Sequence, residues 1–293
     1  MFLLAALGEL VAEKSGMLNL GVDGMMAVGA IVGFILTRQT ENHLFAFVGA
    51  GLAGIALALV FAVTTITFLA NQVATGLAIG ILGLGLSATI GHPYESLTVE
   101  PLHDLTIPVL SGLPVIGPIL FYQDIVVYLT LALAVAIAHV MASTRMGRMI
   151  RAVGENPHAA QALGYSVSRI RYACVAFSGS LAGFAGCYAA TVLTPLWGEG
   201  MIAGRGWIAV ALVVFGTWKV GRVVFGAYLF GFVSLGELIA QSFGLAVPSQ
   251  LLTATPFALT IVVLTVISRN ARRLRLHVPF SLGETFSKTE SDL

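Results

Sequence analysis

Few residues of this 293-residue chain carry groups that could do chemistry, and most of them stand inside apolar sequence. Glu237 falls near the centre of an apolar stretch over 223–243. A carboxylate at membrane depth is costly unless it faces a polar interior, so it reads either as a solute or proton contact or as a hydrogen-bonded packing residue. Ser234 and Gln241 share its helical face, which suits packing. A proton relay would need ionisable partners at the same depth, and none is evident. Asn19 and Asp23 lie in SGMLNLGVDGMMAVGA (15–30), where Gly16, Gly21 and Gly24 interrupt an apolar run. Irregular backbone at such depth survives only where protein or a water-lined cavity satisfies it. Asp23 is expected to cap the helix entering at Gly24 and to complement its dipole, with direct solute contact as the alternative. Trp197, Trp207 and Trp218 stand near span ends and read as interface anchors rather than stacking platforms; Trp197, in TPLWGEGMIAGRGW, is the best placed of them for stacking on a solute.

Catalytic patterns are absent. Lys14, Lys219 and Lys288 are the lysines, and none follows the glycine pattern of a phosphate-cradling loop. Neither H-E-x-x-H nor G-x-S-x-G occurs. Cys174 and Cys187 stand about 20 Å apart if they share one helix, too far to bridge, and read as small buried hydrophobes. If ATP drives this protein, another chain hydrolyses it.

The elements that position these residues are membrane spans. The chain is 57% hydrophobic and 10% charged, with 33 glycines and a mean hydropathy of +0.93. A soluble domain of this length could not keep so much apolar surface dry. The composition predicts an all-α polytopic transmembrane bundle with eight spans, at about 22–36, 44–69, 73–90, 122–142, 172–192, 206–218, 223–243 and 256–268. A partial span precedes them: the run after Met1 is shorter than the roughly 20 residues a crossing needs and resembles the second half of a helix. No secretory signal or internal repeat is visible, so 1–293 reads as a single transmembrane domain. Glycine pairs Gly76/Gly80 and Gly179/Gly183 mark faces for close helix packing. The formal net charge of +1 gives no sign of nucleic acid binding.

Basic clusters orient the bundle. Arg145, Arg148, Arg151, Arg169 and Arg171 crowd one loop, here taken as 143–171; Lys219 and Arg222 share a turn; Arg269, Arg272, Arg273 and Arg275 open the tail, 269–293. All three clusters fall on one side by span count, and basic residues near span ends stay cytoplasmic. The external stretch 92–121 has no Lys or Arg, and its Pro101, Pro108, Pro114 and Pro118 forbid a regular helix. It is expected to lie across the outer mouth, with 116–121 dipping toward the interface. The tail after Arg275 is expected to fray.

Within the basic loop, Asn156-Pro157 is a helix-start signal, Ala159, Ala160, Ala162 and Leu163 favour helix, and Gly164 ends it. So short a helix is unstable alone, so something must pack on it. One reading is a docking helix for a soluble partner; the other is a loop that only obeys the charge rule.

Two segments carry a family resemblance: GELVAEKSGMLNLGVDGMMAVGA (8–30) and AVGENPHAAQALGYSVSRIRYACVAFSGSLAGFAGCYAA (152–190). They resemble the permease subunits of bacterial ABC importers for ribose, nucleosides and branched-chain amino acids. "LNLGVDGMM" is most similar to the nucleoside and simple-sugar group that works with a basic-membrane-lipoprotein binding protein. The resemblance implies an inner-membrane permease paired with a second, related permease, two cytoplasmic ATPase domains and an extracytoplasmic lipoprotein. It implies ATP–Mg on the partner subunits and no cofactor or metal on this chain. It implies a coupling helix over 154–164, with Glu155, Asn156, Pro157, Ala159, Ala160 and Gly164 meeting the ATPase. Asn19, Asp23, Trp197 and Glu237 remain the candidates for the solute pathway. Simple sugars or branched-chain amino acids are the alternative cargo. An ion-coupled secondary transporter is the alternative class, and it would be expected to show internal repeats and paired midplane charges.

Overall fold

A computed structural model describes residues 1–103, 105–106, 122–243, 254–268 and 278–287. Its helices are α1 (Phe2–Lys14), α2 (Val22–Thr40), α3 (His43–Ala62), α4 (Gln72–Gly91), α5 (Ile125–Ser143), α6 (Arg145–Glu155), α7 (Pro157–Ala162), α8 (Val167–Tyr188), α9 (Arg205–Phe215), α10 (Val220–Ser242) and α11 (Thr255–Ser268). Several begin at a polar side chain that accepts the first free N–H groups. Asn42, Asn71, Asp124, Thr144 and Asn156 do this for α3, α4, α5, α6 and α7. A two-residue antiparallel pair, β1 (Leu105–Thr106) with β2 (Tyr122–Gln123), departs from the purely helical expectation. The expected dip of 116–121 lies outside the described residues.

α8 is the axis of the bundle, with α1, α2 and α3 packed around it. Small residues make that possible, because lipid gives helices no hydrophobic drive to associate and close backbone contact must supply the attraction. A Cβ on Gly29 of α2 would stand 2.5 Å from the Cα of Gly183 on α8. Across the other face of α2, one on Gly24 would stand 2.5 Å from the Ile79 carbonyl of α4. Gly76, Gly179 and Gly183 lie at such contacts, as their spacing predicted. Leu52, Ile81, Leu129, Val135, Phe225 and Phe232 point outward from α3, α4, α5 and α10. That is the surface expected to meet hydrocarbon.

Among the described residues, five helices are long and apolar enough to cross a membrane: Val22–Thr40, His43–Thr67, Gln72–Tyr94, Ile125–Ser143 and Val167–Leu193. Arg205–Phe215 and Val220–Gly236 are shorter apolar helices. At 1.5 Å per residue, the 11 residues of α9 reach only about 17 Å. Turns over 199–204 precede it.

The basic island folds differently from the single short helix expected. It holds two helices, because Thr144 caps α6 through the Gly147 N–H (3.2 Å) and Gly147, Ile150, Val153 and Gly154 form a buried stripe at helical spacing. Arg145, Arg148 and Arg151 remain exposed. Arg171 does not: it is 2% exposed in the second turn of α8. The tail also departs from expectation. Residues 278–287 lie against the bundle, with Ser281 and Phe286 buried, because their polar backbone finds partners and Phe286 finds an apolar pocket.

The ends of the helices sort into two groups. Leu18 and residues 284 and 171 meet Gln72 or one another at one end, together with α6 and α7 through Gly154. Arg38 donates to the Thr98 carbonyl at the other end (3.0 Å). Single-cysteine accessibility tests this arrangement, since Cys174 and Cys187 are buried and silent. Leu163→Cys is expected to label only from the cytoplasm and Glu95→Cys only from outside; labelling of both from one side contradicts the orientation.

Candidate functional site

The chain leaves α1 at Lys14 and does not resume helix until Val22. This break climbs back into the bundle: Gly24 packs on Ile79 and Gly80, about 10 Å along α4 from its start. Non-helical backbone so placed needs partners within the protein. Glu9, fully buried on α1, accepts from the Asn19 N–H (3.1 Å) and from the Ser178 hydroxyl of α8 (3.0 Å). The Asn19 side chain accepts from the Gly21 N–H (2.9 Å), and its amide lies 3.4 Å from the Met25 sulfur. Gln72 accepts from the Leu18 N–H (2.7 Å). Asn19 is thus occupied in holding the break.

Asp23 stands in the first turn of α2, where its charge complements that helix's dipole as expected. Its hydrogen bonds go elsewhere. Oδ2 accepts from the Gly204 N–H (2.9 Å) and Oδ1 from the Gly206 N–H (2.7 Å). The carboxylate therefore caps α9, whose own N-cap residue, Gly204, has no side chain to do it. Gly204 adopts φ +82, a conformation open to glycine. A Cβ on Gly206 would stand 2.5 Å from the Asp23 nitrogen, so only glycine lets the two helix starts approach this closely. Two interrupted helices meet at one carboxylate inside the bundle.

The other pathway candidates fare differently. Trp197 is 2% exposed, so it is no open stacking platform. Its ring packs against Gly91 and stands 6.0 Å from that of Phe34, while its backbone exchanges hydrogen bonds with Ser96 and Leu97. It joins the two loops at the end holding Arg38. Trp218 is also buried rather than an interface anchor: its Nε1–H donates to Glu13 (2.6 Å), tying the end of α1 to the turn after α9. Trp207 is more than half exposed, as an anchor should be. Glu237 lies on α10, and its side chain lies outside the described residues.

The helix over 157–162 is present. Asn156 Oδ1 accepts from the Ala159 N–H (2.9 Å), Pro157 occupies the first helical position, and Gly164 turns the chain at φ +87 with open space around it. Glu155, Asn156, Ala159 and Gly164 are exposed. Ala160 is not: at 1% exposure it packs into a small apolar cluster that also holds Val153, Val167 and Phe286. The side chain that projects is Leu163, 74% exposed, with Tyr165 exposed beside it. Among the described residues, none covers this apolar side chain at the tip of a basic segment.

Buried charge went unread in the sequence. Glu9 and Glu13 are i, i+4 on α1, a spacing visible in GELVAEK. Arg171 looked like one more topogenic arginine. Its guanidinium donates to the carbonyls of Ser15 (3.2 Å) and Glu284 (3.2 Å) and to the Ser281 hydroxyl (3.3 Å). Only the fold brings those acceptors together.

The family described as the branched-chain amino acid transport system, permease component, matches residues 1–267. The putative glucose ABC transporter permease protein TsgC13 of Haloferax volcanii is 37% identical over 98% of this chain and 94% of its own length. The guanosine ABC transporter permease protein NupQ of Bacillus subtilis is 33% identical over 90% of this chain and 87% of its own. The nucleoside ABC transporter permease protein NupC of Lactococcus lactis is 30% identical over the same shares, 90% and 87%. No solved structure matches. The chain belongs to this family of ABC transporter membrane permeases.

Removing the Asp23 carboxylate leaves two N–H groups at the start of α9 without acceptors. Asp23→Ala is expected to lower stability by about 3 kcal/mol, and Asp23→Asn, which keeps one acceptor, by about half that. Thermal unfolding of the purified chain in detergent checks this; an unchanged midpoint in Asp23→Ala contradicts the cap.

Proposed function

We propose that this chain is the membrane permease subunit of an ATP-binding-cassette importer that moves nucleosides or a related sugar-containing solute across the cytoplasmic membrane. The observation that carries the coupling part of this reading is α7: a capped, six-residue helix that presents Leu163 outward from a basic segment. A six-residue helix needs support from packing. Its inner face packs on its own chain, and its outer face awaits a partner. The resemblance of 154–164 to a coupling helix supplies that partner as a cytoplasmic ATPase. In this reading the whole chain, 1–293, is one permease domain with a cytoplasmic C-terminus, in agreement with its basic clusters.

The reading places ATP–Mg on two partner ATPase domains and gives this chain no cofactor. A second, related permease completes the pathway, and an extracytoplasmic lipoprotein delivers the solute. Closure of the ATPases around nucleotide would push on α7 in each permease and shift the pair between outward- and inward-open states, each favoured by its own set of contacts. The contact surface consists of Glu155, Asn156, Pro157, Ala159, Leu163 and Gly164. Asn19, Asp23, Glu237 and Trp197 are the starting candidates for pathway residues. Asn19, Asp23 and Trp197 would act by holding the walls, since their polar atoms or faces are already engaged.

The relatives' names support a solute with a sugar ring: two are nucleoside permeases. A free sugar is the second reading, favoured by the 37% identity to the putative glucose permease. Competition for uptake by unlabelled guanosine and glucose separates the two.

Leu163→Asp puts a charge where an apolar side chain would enter a cleft, and desolvating it costs several kcal/mol. The variant is expected to reach the membrane in normal amount, to lose co-purification with the ATPase, and to lower uptake by about a hundredfold or more. Retained association and transport would reduce α7 to a topology signal.

A further inference from the structure

We propose that residues 278–287 form a strap that backs the coupling helix, with Phe286 as the positioning residue. The inference rests on the coupling reading and adds the route by which a push on α7 reaches the spans. Ala160 is the buried residue of α7, and it belongs to one small apolar cluster with Val153, Val167 and Phe286. Val153 and Val167 belong to α6 and α8, the segments on either side of α7, and would tend to move with it. Phe286 arrives from the far end of the chain. Its ring is buried and also meets His158, with centroids 5.0 Å apart and planes at 59°. It is the large side chain of this cluster.

The rest of the strap is fastened to the bundle. The Ser281 N–H and hydroxyl both donate to the Gly154 carbonyl, at 2.9 and 2.7 Å. The same hydroxyl oxygen accepts from Arg171 (3.3 Å). The Gly283 N–H donates to the Gly16 carbonyl (3.2 Å), beside the break that leads to Asp23. The Glu284 carbonyl accepts from Gln72 (3.0 Å) and Arg171 (3.2 Å). One short segment is thus tied to the end of α6, the turn after α1, the start of α4 and the start of α8. Two residues beyond its last anchor, it places a ring behind α7.

A push on α7 is transmitted only if the helix does not sink into the space behind it. With Phe286 in place, the load passes through the ring and the strap to α4, α8 and the α1–α2 break. Without the ring, a cavity opens behind Ala160, and a helix held by small side chains can yield. Nucleotide would then be hydrolysed without moving the spans.

The test uses the assembled transporter with both permeases, its ATPases and its binding protein, in proteoliposomes. Uptake and ATP hydrolysis are read on the same sample. Phe286→Ala is expected to assemble, to hydrolyse ATP within about twofold of the unaltered transporter, and to move about tenfold less solute per ATP. Phe286→Leu, which refills most of the volume, is expected to restore the ratio to within about threefold. An unchanged ratio in Phe286→Ala overturns the strap, as does a fall in uptake matched by an equal fall in hydrolysis. If Phe286→Ala does not accumulate, Phe286→Val decides by the same ratio: lowered supports the strap, unchanged overturns it. Leu163→Asp in parallel separates the two claims. If it stays bound to the ATPase, the docking reading fails; if it is released while Phe286→Ala keeps its ratio, only the strap fails.

Discussion

Backbone that leaves the helix inside the bundle must find every hydrogen bond from the protein around it. Between Lys14 and Val22 most of the chain's N–H groups find acceptors in this way, and much of the fold follows from how the need is met. Glu9 and Gln72 accept from the break, and Asp23, at its upper end, accepts from the start of α9. Those bonds fix α1, α2, α4 and α9 relative to one another before any apolar contact is considered. They also explain why two carboxylates, Glu9 and Asp23, persist in an apolar interior. Each answers a group that lipid could not satisfy, and each would be an unpaired burden if its partner were removed.

The same economy appears at the end holding α7, the proposed coupling helix. Arg171 is buried without a carboxylate partner within salt-bridge distance among the described residues, and it uses two carbonyls and a hydroxyl instead. Its donors are fixed in a planar fork, which suits several fixed acceptors better than one mobile charge. Around it, the ends of α1, α4, α6 and α8 and the C-terminal strap meet in one place. Close helix packing through Gly29, Gly54, Gly179 and Gly183 makes the upper body stiff. A device in which a small helix moves large ones needs that combination: a stiff body, a short lever, and polar ties between them.

How much of this the sequence announces depends on whether the signal is local. Asn156, Pro157 and Gly164 carry their roles in their own chemistry, so the start and stop of α7 were legible. Gly179 and Gly183 announced a packing face by spacing, and Glu9 with Glu13 announced a shared helical face that went unread. What a side chain touches across the fold was not legible. Asp23 was expected to serve its own helix and in fact caps another, 181 residues away. Ala160 looked like part of a surface, yet it faces the core, because a two-turn helix has both faces within reach of the same few residues. The tail was expected to fray because its composition is polar, but Phe286 and the Ser281 hydroxyl find partners that no local window contains. Hydropathy marked a span at 206–218 that is only an 11-residue helix, since apolar content says nothing of where backbone turns replace helix. The resemblance to permeases was legible because it rests on contiguous motifs.

The most direct test of the account is an electron cryomicroscopy structure of the assembled transporter, read at α7. The account predicts Leu163 and Tyr165 covered by the ATPase, with Ala160 turned away from it and in contact with Phe286. An ATPase seated elsewhere, with Leu163 in water and no ring behind Ala160, would contradict it.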